Sequence, residues 1–282
     1  MVRKNKIIAF QGVVGAHSDM ACRQAYPYLQ TMACHSFEDA MKAVEAGKAD
    51  LCMIPIENSK AGRVAEMHNL LPKTELHVVS EYFLRVEQFL LAPKGTKLKD
   101  IKTVYSHPQA LMQCKDNLKK LGVECKEYSN TAVAAKDVAA WGDPTKAAIA
   151  SKLAAELYGL DVIKPNFEDA KDNTTIFIVM GREAHHPDAK EGRVITSLFF
   201  EARNIPAALY KALGGFATNH VNLLKIESYI PSGASKTAQF FISFEGHPDE
   251  RNVQLAIEEL GFFCKKVNVL GVYLADPARF SA

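Results

Sequence analysis

Short apolar runs alternate with longer stretches of helical periodicity along most of the chain, the pattern of an α/β protein. Residues 7–10 read as a strand that leads through Gly12-Val13-Val14-Gly15 into a helix beginning near Ser18. Ser36 with Asp39 three positions later resembles a capping box, and Gly47 suits the end of the helix that follows. Leu51-Cys52-Met53-Ile54 makes a strand ending at Pro55, residues 78–91 are strand-rich, and 103–105 form another strand. A helix after Ser106-His107-Pro108 is stopped by Gly122, with Ser106 a candidate N-cap. Helices over 132–141 and 152–158 flank a strand at 147–149, and 176–180 closes the pattern.

The pattern then breaks. Residues 181–192 are polar and lack periodicity, which marks a linker, and His185-His186 within it are expected to be solvated. Beyond it, strands at 194–201, 221–229, 237–245 and 264–273 alternate with helices at 206–218 and 248–260. That order is βαββαβ, the ferredoxin-like split arrangement, which leaves one sheet face free to meet another copy or a neighbour.

A length of 282 residues suits two domains, possibly three. The 34 basic and 32 acidic residues leave a charge of +2, which argues against nucleic-acid and polybasic membrane partners. The six cysteines include no CxxC pair, so a metal site or redox motif is not expected and reduced thiols are. The basic start is followed by only four apolar residues, and no run approaches the ~18 needed to span a bilayer. The expected location is the cytoplasm.

Four short segments could carry chemistry. Gly12-Val13-Val14-Gly15 is either a plain tight turn or a small-carboxylate site at a helix start; it lacks the third glycine of GxGxxG and a P-loop lysine. Glu57-Asn58-Ser59 puts a carboxylate, an amide and a hydroxyl at a strand end, where open α/β sheets bind ligands. Ser106-His107 occupies a similar position, but no acidic residue completes a Ser-His-Asp triad. Asn173-Thr174-Thr175 precedes the apolar run at 176–180.

Taken together, these segments resemble one family. Ile8-Ala9-Phe10-Gln11-Gly12, Ile54-Pro55-Ile56-Glu57-Asn58-Ser59 with Gly62 and Val64, Ser106-His107-Pro108-Gln109-Ala110-Leu111, Asn130-Thr131-Ala132, and Asn173-Thr174-Thr175 with Phe177 make the chain similar to prephenate dehydratases carrying a C-terminal regulatory ACT domain. The resemblance implies a two-lobed catalytic domain over 1–182, like a type 2 periplasmic binding protein, with lobe crossings near 79–83 and 165–169. It implies an ACT domain over 193–275. It also implies decarboxylating dehydration of prephenate to phenylpyruvate, with no cofactor and no metal. Arogenate dehydratase is the alternative of the same chemistry, and a non-catalytic amino-acid sensor the alternative of another class.

The resemblance assigns catalysis to Thr175, with Glu57 as a candidate proton donor. Asn58, Ser59, Ser106, His107, Asn173, Thr174 and Phe177 are the implied substrate residues. The family pattern Thr-Arg-Phe reads Thr175-Ile176-Phe177 here, and Lys60 and Arg63 are candidates to supply the missing charge. L-phenylalanine is the implied effector, bound between ACT domains of a homodimer or homotetramer through Ala207, Ala208, Leu209, Asn222, Leu223, Glu227 and Ser228. Ala207 stands where the family has glycine, and Tyr229-Ile230 where it has Arg-Pro.

Overall fold

The computed structural model describes residues 6–188, 190–229 and 237–280; Ile230 of the expected effector segment lies outside them. The chain opens with β1 (Ile7–Gln11), α1 (His17–Ala25), β2 (Gln30–Cys34), α2 (Phe37–Glu45), β3 (Leu51–Asn58), β4 (Gly62–Arg63), α3 (Met67–Leu70) and β5 (His77–Arg85). It continues with β6 (Phe89–Ala92), β7 (Thr103–Ser106), α4 (Pro108–Gln113), α5 (Lys115–Leu121), β8 (Glu124–Glu127), α6 (Thr131–Trp141), β9 (Lys146–Ala150), α7 (Lys152–Tyr158), β10 (Asp161–Lys164) and β11 (Thr174–Gly181). The last part comprises β12 (Val194–Ala202), α8 (Ala208–Thr218), β13 (Leu223–Tyr229), β14 (Gln239–Glu245), α9 (Arg251–Phe263) and β15 (Cys264–Leu274).

The strands form three sheets, in the orders β2-β1-β3-β11-β5 with β4 on β3, β10-β6-β9-β7-β8, and β13-β14-β12-β15. The second sheet shows most plainly how the pattern folds. Alternate side chains of a strand face opposite ways. Phe89, Leu91, Tyr105, Ala148 and Ala150 accordingly pack with α6 and α7, whereas Leu90, Ala92, Val104, Ala147 and Ile149 pack with α4 and α5. A sheet buried on both faces needs continuous apolar strands, which is why 147–149 stands out in the sequence.

Residues 79–83, where the first lobe crossing is expected, lie inside β5, which runs unbroken from His77 to Arg85. The chain changes sheet after Arg85 and enters the second at Phe89, and it returns between β10 and β11. Strand β3 also differs, running through Pro55 to Asn58. Its pairing with β1 covers Leu51 to Met53, so the proline falls where no N–H is needed on that side.

Contacts divide the chain into two units, 1–63 with 84–177 and 64–83 with 178–282. Residues 64–83 thus group by contacts with the C-terminal part of the chain. A Cβ on Gly271 of β15 would lie 2.0 Å from the Val78 carbonyl oxygen, so only glycine admits this approach. The C-terminal sheet is antiparallel at each pairing and has the ferredoxin-like strand order. Leu198, Phe200, Phe240, Ile242 and Phe244 face Ala212, Phe216, Val253, Ala256 and Leu260 of α8 and α9. Those helices close tightly at Gly215, where a Cβ would meet that of Glu259 at 2.7 Å.

Candidate functional site

The strand ends β3 and β11 meet through a polar knot built around Asn58. Its Oδ1 accepts the N–H groups of Lys60 and Ala61, at 3.0 and 2.8 Å, a local turn that fixes which way the amide points. Nδ2 must then face inward, and it donates to Asn173 Oδ1 at 2.7 Å and to Thr175 Oγ1 at 2.9 Å. Because the Thr175 oxygen accepts, its O–H remains able to donate elsewhere. Ser59 locks the same two strands: its backbone N–H donates to the Thr174 carbonyl, its hydroxyl to the Asp172 carbonyl, and it accepts the Thr174 N–H. Asn58, Ser59, Asn173, Thr174 and Thr175 are thus brought together from positions more than a hundred residues apart.

A cavity of about 270 Å³ adjoins this knot, with Lys60, Met112, Gln113, Glu168, Asp169 and Asn173 in its wall. Asn173 is 2% exposed, yet its Nδ2 has no hydrogen-bond partner among the described residues. Glu168, 6% exposed, is in the same condition at Oε1, while its Oε2 accepts the Gln88 N–H at 2.8 Å. Buried polar atoms rarely go unpaired, so a donor and an acceptor without hydrogen-bond partners in one cavity wall make it the candidate ligand site. Lys60 forms an ion pair with Asp172 and holds that carboxyl below its ordinary range.

The remaining expected residues lie elsewhere. Glu57 neighbours Asn58 on β3 and so projects from the opposite face; its register partner on β4 is Arg63. Ser106 is fully buried, and its hydroxyl donates to the Ile149 carbonyl at 2.6 Å, tying β7 to β9. The N-cap of α4 is His107 rather than Ser106, with Nδ1 accepting the Gln109 N–H. Phe177 shares the Thr175 face of β11 but is 1% exposed, a core side chain beneath the knot. Ile176 projects to the other face, so an arginine there would not share a face with Thr175. Met112, Gln113, Glu168, Asp169 and Ala170 are cavity residues that the sequence did not single out.

In the Gly12–Gly15 turn, the Ala16 N–H donates to the Val13 carbonyl. Gly12 donates to the Cys34 carbonyl and Gly15 to Asp19, whose other oxygen takes Arg23. Just beyond it, His17 is pushed below the usual imidazole range by enclosure, against smaller upward pulls from the Glu87 carbonyl and Glu168. In the C-terminal sheet, Ala207 and Asn222 are exposed, Glu227 pairs with Lys225, and Ala208, Leu209 and Leu223 pack on the helix-side core. Among the described residues no helix is long and apolar enough to cross a membrane, and no His, Cys, Asp and Glu cluster could hold a metal.

Known proteins resemble this chain in sequence and fold. The prephenate dehydratase family model matches residues 8–185. A bifunctional N-acyl-homoserine lactone acylase/prephenate dehydratase of Komagataeibacter europaeus is 44% identical over 275 residues, covering 97% of this chain and 98% of that protein. Arogenate dehydratase/prephenate dehydratase 1 of Arabidopsis thaliana, a chloroplastic protein, is 37% identical across 96% of this chain and 73% of its own length. The structure of prephenate dehydratase in complex with L-Phe from Arthrobacter aurescens superposes with a TM-score of 0.87 at 29% identity, over 98% of this chain and 92% of that one. A family match across more than half the chain, with the polar knot formed by the matched segments, leads to one conclusion: this chain is an enzyme of the prephenate dehydratase family.

Proposed function

We propose that the chain converts prephenate to phenylpyruvate by loss of CO2 and water, and that L-phenylalanine regulates it through a C-terminal ACT domain. The observation that carries the reading is the Asn58 amide bridging Asn173 and Thr175 beside a cavity with unpaired polar atoms. Prephenate is a dicarboxylate whose ring hydroxyl lies opposite the carboxylate that departs as CO2. Aromatisation drives the step, so the protein has to hold one carboxylate, desolvate the other and assist the leaving oxygen. The Thr175 O–H, oriented by Asn58, is the donor aimed at that oxygen, and Asn173 Nδ2 is free to bind a carboxylate.

The regulatory part of the reading draws support from the L-Phe complex of the Arthrobacter aurescens relative and from the ferredoxin-like strand order. Ala207, Ala208, Leu209, Asn222, Leu223, Glu227 and Ser228 are the proposed effector residues, in a cytoplasmic homodimer or homotetramer.

The test supplies prephenate and arogenate separately, with and without L-phenylalanine, to the wild type and to Thr175→Val. Phenylpyruvate should form from prephenate, the variant should lose ~100-fold or more in kcat, and L-phenylalanine should change the rate. Turnover of neither substrate removes the enzymatic assignment of the site, and arogenate turnover alone replaces prephenate. A second activity has one observation in its favour: the chain covers 98% of the bifunctional Komagataeibacter europaeus protein at 44% identity. Release of acid from an N-acyl-homoserine lactone, followed on the same preparation, decides it.

A further inference from the structure

Eliminating water from an alcohol at neutral pH needs a proton at the departing oxygen, and a threonine hydroxyl is a weak acid. The ionisable residues in the cavity wall are Lys60, Glu168 and Asp169. Lys60 is paired with Asp172. Both carboxylate oxygens of Asp169 are committed, accepting the N–H groups of Asp116 and Asn117 in the first turn of α5. Glu57 projects from the wrong face of β3, and His107 caps α4. Glu168 remains, anchored at Oε2 by the Gln88 N–H and open at Oε1.

From this geometry we infer that Glu168 is the general acid of the dehydration, passing a proton from Oε1 to the substrate hydroxyl. The inference rests on the dehydratase reading of this site. The Glu168 O–H bond breaks as the C–O bond of the ring opens, and the oxygen leaves as water. The electrons of the breaking C–CO2 bond complete the aromatic ring, CO2 departs, and Glu168 is left as a carboxylate that regains its proton from solvent.

The surroundings suit that cycle. Glu168 is held in place by the Gln88 N–H on one oxygen, and its other oxygen lies in the cavity wall. Arg85 stands 3.9 Å from Oε1 and 3.8 Å from Glu87, outside hydrogen-bond reach of Glu168 but close enough to stabilise the charge left behind. His17 faces the same carboxyl from α1 and is kept neutral by enclosure, so it adds no competing cation. Cys114, between α4 and α5, is driven further from ionisation by burial first and then by Asp169 and Glu168.

Glu168→Gln is the decisive variant, since a glutamine oxygen can still accept the Gln88 N–H while the transferable proton is gone. Steady-state kinetics on whichever of prephenate and arogenate the wild type turns over should show kcat lowered ~100-fold or more, KM changed less than ~3-fold, and an unchanged Tm. The wild-type kcat should fall as pH rises through the ionisation of the acid, and the variant should lose that limb. Glu168→Asp should recover part of the rate. Near-normal kcat in Glu168→Gln, or an unaltered alkaline limb, overturns the proposal. A wild type inactive on both substrates overturns the dehydratase reading instead.

Discussion

At the scale of single residues, enclosure fixes what His17 contributes. Burial lowers its folded pKa, while in the unfolded chain the imidazole titrates near its usual ~6.5. Above that pH both states are neutral and stability does not depend on it. Below it the unfolded chain takes up a proton that the native state resists, so stability declines by up to ~1.4 kcal/mol per pH unit until the folded imidazole itself titrates. Urea midpoints measured from about pH 7.5 down to 5 should fall more steeply for the wild type than for His17→Gln. Parallel curves would mean that the ring is hydrated in the native state. The same scale separates what can be read from sequence in the site. Asn58, Ser59, Asn173, Thr174 and Thr175 announce themselves as polar residues abutting apolar strands. Glu168 sits in an ordinary polar stretch; its significance comes from the Gln88 N–H, eighty positions earlier, which fixes one oxygen and leaves the other open.

Among elements of the second sheet, the strands legible in the sequence are the ones that neighbours enclose. Strands β6, β7 and β9 lie inside their sheet and are apolar runs. By contrast β8 and β10 are edge strands, and β8, Glu-Cys-Lys-Glu, is exposed at every position. An edge strand needs one partner and few buried side chains, so no periodicity betrays it. Helix α8 shows a local conflict of the opposite kind. Its N-cap, Ala207, adopts φ 59° and ψ 25° and makes no side-chain cap bond. This left-handed conformation sets the alanine Cβ against the backbone, a strain of ~1 kcal/mol that glycine avoids. Replacing Ala207 by glycine should therefore raise the unfolding free energy by about 0.5–1 kcal/mol, even though glycine elsewhere in a helix costs a similar amount. Denaturant titration reads the difference, and a loss of stability would show that the strain is relieved by the surrounding loop.

Across the whole molecule, contacts group segments that lie far apart in the sequence. Residues 64–83 group with 178–282, and that unit contains a buried clasp between β5 and the C-terminal tail. Glu81, whose side chain is 1% exposed, takes both Nε and Nη2 of Arg279, the former at 2.7 Å, and accepts the Asp276 N–H at 3.0 Å. Asp276 in turn accepts the Phe83 N–H, and the Arg279 guanidinium lies over the Phe83 ring. A buried ion pair adds little over a well-packed apolar pair, but removing one member strands the other's charge at ~3–5 kcal/mol. Arg279→Met should cost about that much, because Glu81 then stays enclosed without its counter-ion. Adding Glu81→Gln should recover most of the loss, since the amide carries no charge and still accepts the Asp276 N–H. A double-mutant cycle by urea unfolding measures both steps. If Arg279→Met costs under ~1 kcal/mol, water reaches Glu81 and the clasp is a surface contact. If the single change is costly and the second restores stability, the last residues of the chain hold β5 in place, and β5 is the sheet neighbour of the strand that carries Thr175.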